Sequence, residues 1–336
     1  MMNHIWSGRS KLWIILWPCS VLYGVITWLI KISFKCGWRK RWRAKCPVVV
    51  VGNLTVGGNG KTPVVIWLIQ ALQERGLRIG VVSRGYGGKA KRYPLLVTED
   101  TSPSQAGDEP VMIAQRTQVP VAVAPNRYLA AKALLDAHDI DVIVTDDGLQ
   151  HYALHRDIEI VVIDGVRRFG NGWLLPAGPM RERVSRLSNV DAIIVNGGHV
   201  NVNNIEIAMT IKPGLAINLL TGKPISLHKL PPIVAMAGIG YPPNFFNMIK
   251  KQGINPIAEI AFTDHYVYSK AELHSLTKQD QCLLMTEKDA VKCRNFAQPN
   301  WWYLLVDAHL HGSRVSTLLA DIVELYTTTR DVRLRY

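Results

Sequence analysis

Three groups of residues have the types and spacing to do chemistry. In Thr55-Val56-Gly57-Gly58-Asn59-Gly60-Lys61-Thr62 the glycines leave backbone N–H groups free to converge on phosphate oxygens. Lys61 can reach the outer phosphates, and the Thr62 hydroxyl can ligate Mg²⁺. The stretch approximates G-x-x-x-x-G-K-[ST], with Thr55 where the first glycine should be, and it implies nucleoside triphosphate binding. A second group, Asp146-Asp147, follows the apolar run Ile140 to Thr145. A carboxylate at a strand end can hold Mg²⁺ directly or through water, and a cation would relieve the repulsion between adjacent acids. Gln150 and His151, just beyond, are candidates to orient substrate or water. The third is two separate stretches, Gly107-Asp108-Glu109-Pro110 with Asp108 and Thr263-Asp264-His265-Tyr266 with His265, which spacing does not connect. On spacing alone Asp108 reads first as a carboxylate that favours the start of a helix. Asp264 beside His265 could fix the imidazole tautomer.

These residues need elements to hold them. The β-branched run ending at Val51 reads as a buried parallel strand, and Val64, Val65, Trp67, Leu68, Ile69 and Leu72 as one apolar helix after the glycine loop. Leu77 to Ser83 is a second strand, delivering Arg84 and Tyr86 where ligand contacts gather in an open α/β sheet. An irregular excursion, Lys89 to Ser104, precedes the helix Val111 to Gln115. Then come strand Val119 to Ala124, helix Arg127 to His138, and strands Ile140 to Thr145, Arg156 to Asp164 and Val190 to Asn196. The loop before the last of these carries Arg181, a candidate phosphate clamp, and Glu182, a candidate second acid near the metal. The alternation predicts an α/β fold of the P-loop NTPase type, a mostly parallel sheet with helices on both faces. Beyond Gly197, Ile205 to Ile211 and Ala216 to Leu220 read as a β-ribbon linker joined through Lys-Pro-Gly. A smaller α/β unit follows, with strands at Ile233 to Ala237, Ile257 to Phe262, Leu283 to Thr286 and Tyr303 to Val306. The expected division is 1–45, 46–200, 201–222 and 223–336.

The first 45 residues differ from the rest. Leu12 to Ile30 carries no charge and is nearly long enough to cross a hydrocarbon core of roughly 30 Å. Trp13, Trp17, Tyr23 and Trp28 also suit an in-plane or half-inserted helix at the interface. Before Cys46 there are nine basic residues and no acid, against a net charge of +13 for all 336 residues. The basicity is therefore a collar next to the apolar helix, suited to anionic lipid on the cytoplasmic side, and a nucleic-acid partner is excluded. A cleaved leader fits poorly, because no small-residue cleavage site follows the run. Five cysteines with no C-x-x-C pair read as reduced thiols.

Taken in order, GNLTVGGNGKTP, SRGYGG, GDEP, TDDGLQH, LLPAGPMRE, AGIG, FTDH and TEKDAVK resemble the tetraacyldisaccharide 4′-kinase family, over nearly the whole chain. Thr55 matches that family's form of the loop. The resemblance implies transfer of the ATP γ-phosphoryl to the 4′-hydroxyl of a tetraacylated glucosamine disaccharide 1-phosphate at the cytoplasmic face of the bacterial inner membrane; apart from the resemblance, a monomer is expected. It makes Asp108 the base with His265 its partner, assigns Thr62, Asp146 or Asp147 and Glu182 to Mg²⁺, and assigns Lys61 and Arg181 to the phosphates. The competing reading is a membrane-associated P-loop switch ATPase, but Val56 stands where such proteins carry a signature lysine.

Overall fold

The computed structural model describes residues 2–198, 200 and 206–334. A short helix α1 (Met2–Trp6) precedes α2 (Trp13–Lys35). Then follow β1 (Val48–Gly52), α3 (Lys61–Gln73), β2 (Ile79–Ser83), β3 (Leu95–Val97), α4 (Pro103–Ala106) and α5 (Asp108–Thr117). Next are β4 (Val121–Val123), α6 (Arg127–Ala137), β5 (Val142–Asp146), β6 (Ile158–Asp164) and β7 (Ala192–Asn196). The excursion read as irregular thus contains β3, an edge strand antiparallel to β4, and ends in the start of the short α4.

The parallel strands β6-β1-β5-β2-β4 form one half of the sheet, with β7 beside β6. All five residues of β1 are buried, as a parallel strand covered on both faces requires. Its period-2 alternation sends Val49 and Val51 into one apolar cluster with α3 and α5, and Val48 and Val50 into another with α6.

The remaining elements are β8 (Glu206–Asn218), β9 (Pro224–Ile225), β10 (Ile233–Ala237), α7 (Pro242–Lys251), β11 (Ala258–Ala261), α8 (Lys270–His274), β12 (Cys282–Thr286), α9 (Glu287–Cys293), β13 (Trp301–His311) and α10 (Arg314–Leu334). The ribbon differs from expectation. Its first piece begins at Ile205, outside the described residues, and the two pieces do not fold onto each other: β8 runs on through Lys212-Pro213-Gly214 and pairs with β13, antiparallel, from Ala208↔His311 to Asn218↔Trp302. Pro213 is tolerated because β7 flanks β8 only as far as Met209 and β9 only from Ala216, so its missing N–H faces no ladder there.

This register decides where the site lies. β7 is parallel to β8 and ends at Asn196, opposite Met209. β12 is parallel to β13 and ends at Thr286, opposite Leu304, which pairs with Ala216. The carboxyl ends of the two half-sheets therefore face each other along the ribbon, roughly 23 Å apart by strand rise. Loops after carboxyl ends bind ligands in open α/β sheets, and here both sets open into one crevice. α10 does not stay with the second half: Leu318, Leu319 and Ile322 are buried in the cluster that contains α3.

Candidate active site

The glycine loop enters α3 through Gly60, whose φ of +90° is a left-handed conformation that a side chain would strain. A Cβ there would also lie 2.7 Å from Asn196 Nδ2, so loop and strand end are in close contact. Asn59 is buried and donates from Nδ2 to Thr55 Oγ1 at 2.9 Å, which gives Thr55 a structural task inside the loop. Arg167, which no motif marked, ties the loop to β6: Nη2 donates to Gly58 O at 2.7 Å while Nε donates to Asp164 at 2.9 Å. The segment 179–181 runs along the loop's entry, with Val56 N donating to Pro179 O at 2.9 Å and Arg181 N to Leu54 O at 2.6 Å.

That segment brings Arg181 to the end of β5. Asp147, with a left-handed φ of +53°, accepts from Arg181 Nη1 at 2.9 and 3.0 Å and lies 3.6 Å from Lys61 Nζ. Burial acts to raise the Asp147 carboxyl, but the charges of Lys61 and Arg181 outweigh it and hold the group below the usual carboxylate value. Asp146 is the opposite case. It is buried, its Oδ1 has no hydrogen-bond partner, and burial pushes its carboxyl up to about 7. An unsatisfied buried carboxyl beside the phosphate loop fits a divalent cation. Among the described residues no three His, Cys, Asp or Glu side chains form a cage, as suits Mg²⁺, which takes few protein ligands and leaves the rest to water and phosphate.

The other predicted residues at this end are occupied. Gln150 Nε2 donates to Asn53 O at 3.1 Å and to Glu182 Oε1 at 3.0 Å, and Tyr152 OH donates to Glu182 Oε2 at 2.7 Å. Glu182 therefore sits behind Arg181 and Gln150. His151 Nε2 accepts from Arg127 N at 3.2 Å at the start of α6, and burial, with Arg127 and Arg156 near, pushes its imidazole down to about 4. It is neutral and committed to the fold. The sequence marked Arg127 only as the start of a helix, yet it is buried and donates from Nη2 to Asp147 O at 3.1 Å.

On the same side of the crevice, Asp108 opens α5 but makes no cap bond; the N-cap residue is Gly107, at φ +92° and pressed against Tyr86 O, where a Cβ would lie at 2.5 Å. Instead Asp108 Oδ2 accepts from His265 Nδ1 at 3.1 Å, and this bond, against burial, raises the imidazole. Asp264 does not orient that nitrogen; its Oδ1 accepts from the His265 backbone N–H and lies 3.9 Å from Nε2. The exposed Tyr86 ring stands 5.1 Å from the imidazole, while Arg84 is exposed nearby in sequence. The two halves also meet where the 238–243 loop reaches the glycine loop: a Cβ on Gly240 would lie 3.3 Å from Gly58 N, and Tyr241 lies under Arg167.

Residues 12–324 match the model of the tetraacyldisaccharide-1-P 4′-kinase (LpxK) family. The chain belongs to that family. Its fold is similar to the crystal structure of the "apo" form of LpxK from Aquifex aeolicus in complex with ATP, at a TM-score of 0.80 and 27% identity, covering 94% of this chain and 100% of that one. The LpxK match takes in the glycine loop, the Asp146-Asp147 turn, Asp108 and His265 together, and it includes α2 from its first residue.

Proposed function

We propose that the protein transfers the γ-phosphoryl of ATP to the 4′-hydroxyl of a tetraacylated glucosamine disaccharide 1-phosphate, a step of lipid A biosynthesis. The observation that carries this reading is the Asp108–His265 pair, 3.1 Å apart on opposite sides of the crevice that also holds Lys61, Asp146 and Asp147. The acceptor oxygen forms a bond to the γ-phosphorus as the bond to the β–γ bridging oxygen breaks, and ADP departs with that electron pair. The hydroxyl proton passes to Asp108, with His265 holding the carboxylate in place and sharing its charge. Lys61 and Arg181 balance charge on the phosphates, and the glycine loop N–H groups orient them. Thr62, Asp146 and Asp147 would hold Mg²⁺, which neutralises the phosphates and aligns them when bound. Arg84 and Tyr86, beside His265, are placed for the sugar. Because Asp108 and His265 come from opposite halves, approach of the halves completes the site and excludes water.

The acceptor's acyl chains stay in a bilayer, and α2 is where the protein meets it. Ser20, Tyr23 and Thr27 of α2 lie toward the body of the protein, with Ser20 Oγ donating to Leu174 O and Tyr23 OH to Arg181 O. Ile14, Ile15, Leu22, Val25, Ile26, Trp28 and Leu29 are exposed on the other side. A helix docked along its length on the segment that carries Arg181 lies in the membrane plane; upright, it would draw that charged segment into hydrocarbon. The collar from Lys35 to Lys45 then rests on anionic head groups at the cytoplasmic face of the inner membrane, and one chain carries a complete site. The test is incubation with ATP, Mg²⁺ and the detergent-dispersed disaccharide. Lipid-dependent phosphate incorporation is expected, and lipid-independent hydrolysis would indicate a switch ATPase instead.

A further inference from the structure

The segment Thr286-Glu287-Lys288-Asp289-Ala290-Val291-Lys292 has no part in the chemistry above, yet it lies against the proton-accepting pair. α9 begins at the carboxyl end of β12 and is fixed there by Asp289, fully buried, which accepts from Gly238 N at 2.9 Å, Thr286 Oγ1 at 2.7 Å and Tyr268 OH at 2.9 Å. The helix then presents two lysines, four residues apart, on one face. Lys288 Nζ lies 2.6 Å from Glu109 Oε1 and 2.9 Å from Asp264 Oδ1. Lys292 Nζ lies 2.9 Å from Asp289 Oδ1 and 3.9 Å from Asp108 Oδ2.

Glu109 follows Asp108 in the chain, and Asp264 precedes His265. A single ammonium therefore joins the immediate neighbours of both members of the pair, across the seam between the half-sheets. His265 needs such support, because its φ of +59° is left-handed, a strained conformation in a non-glycine residue that is kept only where surroundings impose it. Asp264 Oδ1 supplies this by accepting both the His265 backbone N–H and the Lys288 ammonium. The Lys288 side chain is only 14% exposed, so the bridge is not an ordinary surface pair.

We propose that Lys288 is a positioning residue for phosphoryl transfer: by tying Glu109 to Asp264 it fixes Asp108 and His265 in register, and it acts only through that pair. The inference rests on reading the pair as the proton acceptor. The experiment uses the full chain in detergent with ATP, Mg²⁺ and the disaccharide lipid, comparing wild type with Lys288→Met, Lys288→Arg, Asp264→Asn, His265→Ala and the Lys288→Met/His265→Ala double variant. A misplacement of about 1 Å costs on the order of 100-fold in rate, so Lys288→Met is expected to lower kcat by about 10- to 100-fold with KM for ATP unchanged. Lys288→Arg should restore most of kcat. Asp264→Asn, which loosens the same bridge from an exposed loop, should reproduce the deficit in a fully folded chain. The double variant should be no slower than His265→Ala alone. Wild-type kcat in Lys288→Met, or a full multiplicative loss in the double variant, overturns the inference. An inactive wild type overturns the assigned reaction together with it, whereas an active wild type matched by Lys288→Met overturns the inference alone.

Discussion

Asp147 is held between two cations, Lys61 at 3.6 Å and Arg181 at 2.9 Å, and each has a different prospect once phosphates arrive. Lys61 is 14% exposed and begins α3, so its ammonium can turn to an outer phosphate without moving the backbone. Lys61→Met is expected to lower kcat/KM by about 100- to 1,000-fold, the range for removing one preorganised charge from a transition state, as read from steady-state kinetics with lipid acceptor. His265 gives a pH prediction. Its folded pKa is raised, so the stabilisation from pairing with Asp108 is fully present below its unfolded value of about 6.5 and is lost as pH rises through the folded value. The Tm gap between wild type and His265→Ala should be widest on the acid side and should shrink at alkaline pH; a gap that widens upward would contradict the assignment. Residue chemistry was legible where it is local: the glycine loop and the two aspartates announce themselves by type and spacing. The bond between Asp108 and His265 spans 157 positions, and spacing gave no sign of it. Arg167 and Arg127 carry no motif at all, since their role comes from the carbonyls they reach.

At the scale of elements, α2 is fastened by few contacts, so each counts. Ser20, 1% exposed, donates to Leu174 O at 2.7 Å and accepts from Ala177 N at 2.9 Å. Ser20→Ala leaves the Ala177 N–H buried and unpaired, while Leu174 O keeps the Gly178 N–H at 2.9 Å, at a cost of about 1–3 kcal/mol. A Tm lowered by several degrees is expected, with KM for lipid rising more than KM for ATP. Strands and helices of the first half were readable because period-2 and period-3.6 patterns are strong in buried parallel sheets. β8 was not, because Lys-Pro-Gly looks like a turn until a partner strand from 90 residues later is known to lie beside it. The short edge strand β3 was missed for a related reason: three half-buried residues show no period.

At the scale of the whole molecule, the halves are joined by the β8–β13 ribbon and by charge. Arg116 on α5 pairs with Glu287 at the start of α9, at 3.4 Å, and with Asp307 on β13. Arg116 and Glu287 are 13% and 11% exposed, so Arg116→Met strands a buried acid, an expected loss of about 3–5 kcal/mol by chemical denaturation. The division at 200 and 222 remains our proposal, and limited proteolysis should cut first near those positions if the halves move as units. Patterning indicated two α/β units and a ribbon, but not that the chain crosses the seam twice, out along β8 and back along β13.

The return crossing has a consequence for how the chain is made. The apolar face of α3 shares its cluster with Leu318, Leu319 and Ile322 of α10, so the nucleotide-binding half cannot complete its core until almost all of the sequence has left the ribosome. α2 emerges well before α10, and in the membrane-bound arrangement we propose, its exposed apolar flank would meet the bilayer while the rest is still being synthesised. On that proposal the membrane is the surface on which the protein assembles before it becomes the surface from which substrate is drawn. Chains stopped at His311 should accumulate on membranes in a protease-sensitive form that does not bind ATP.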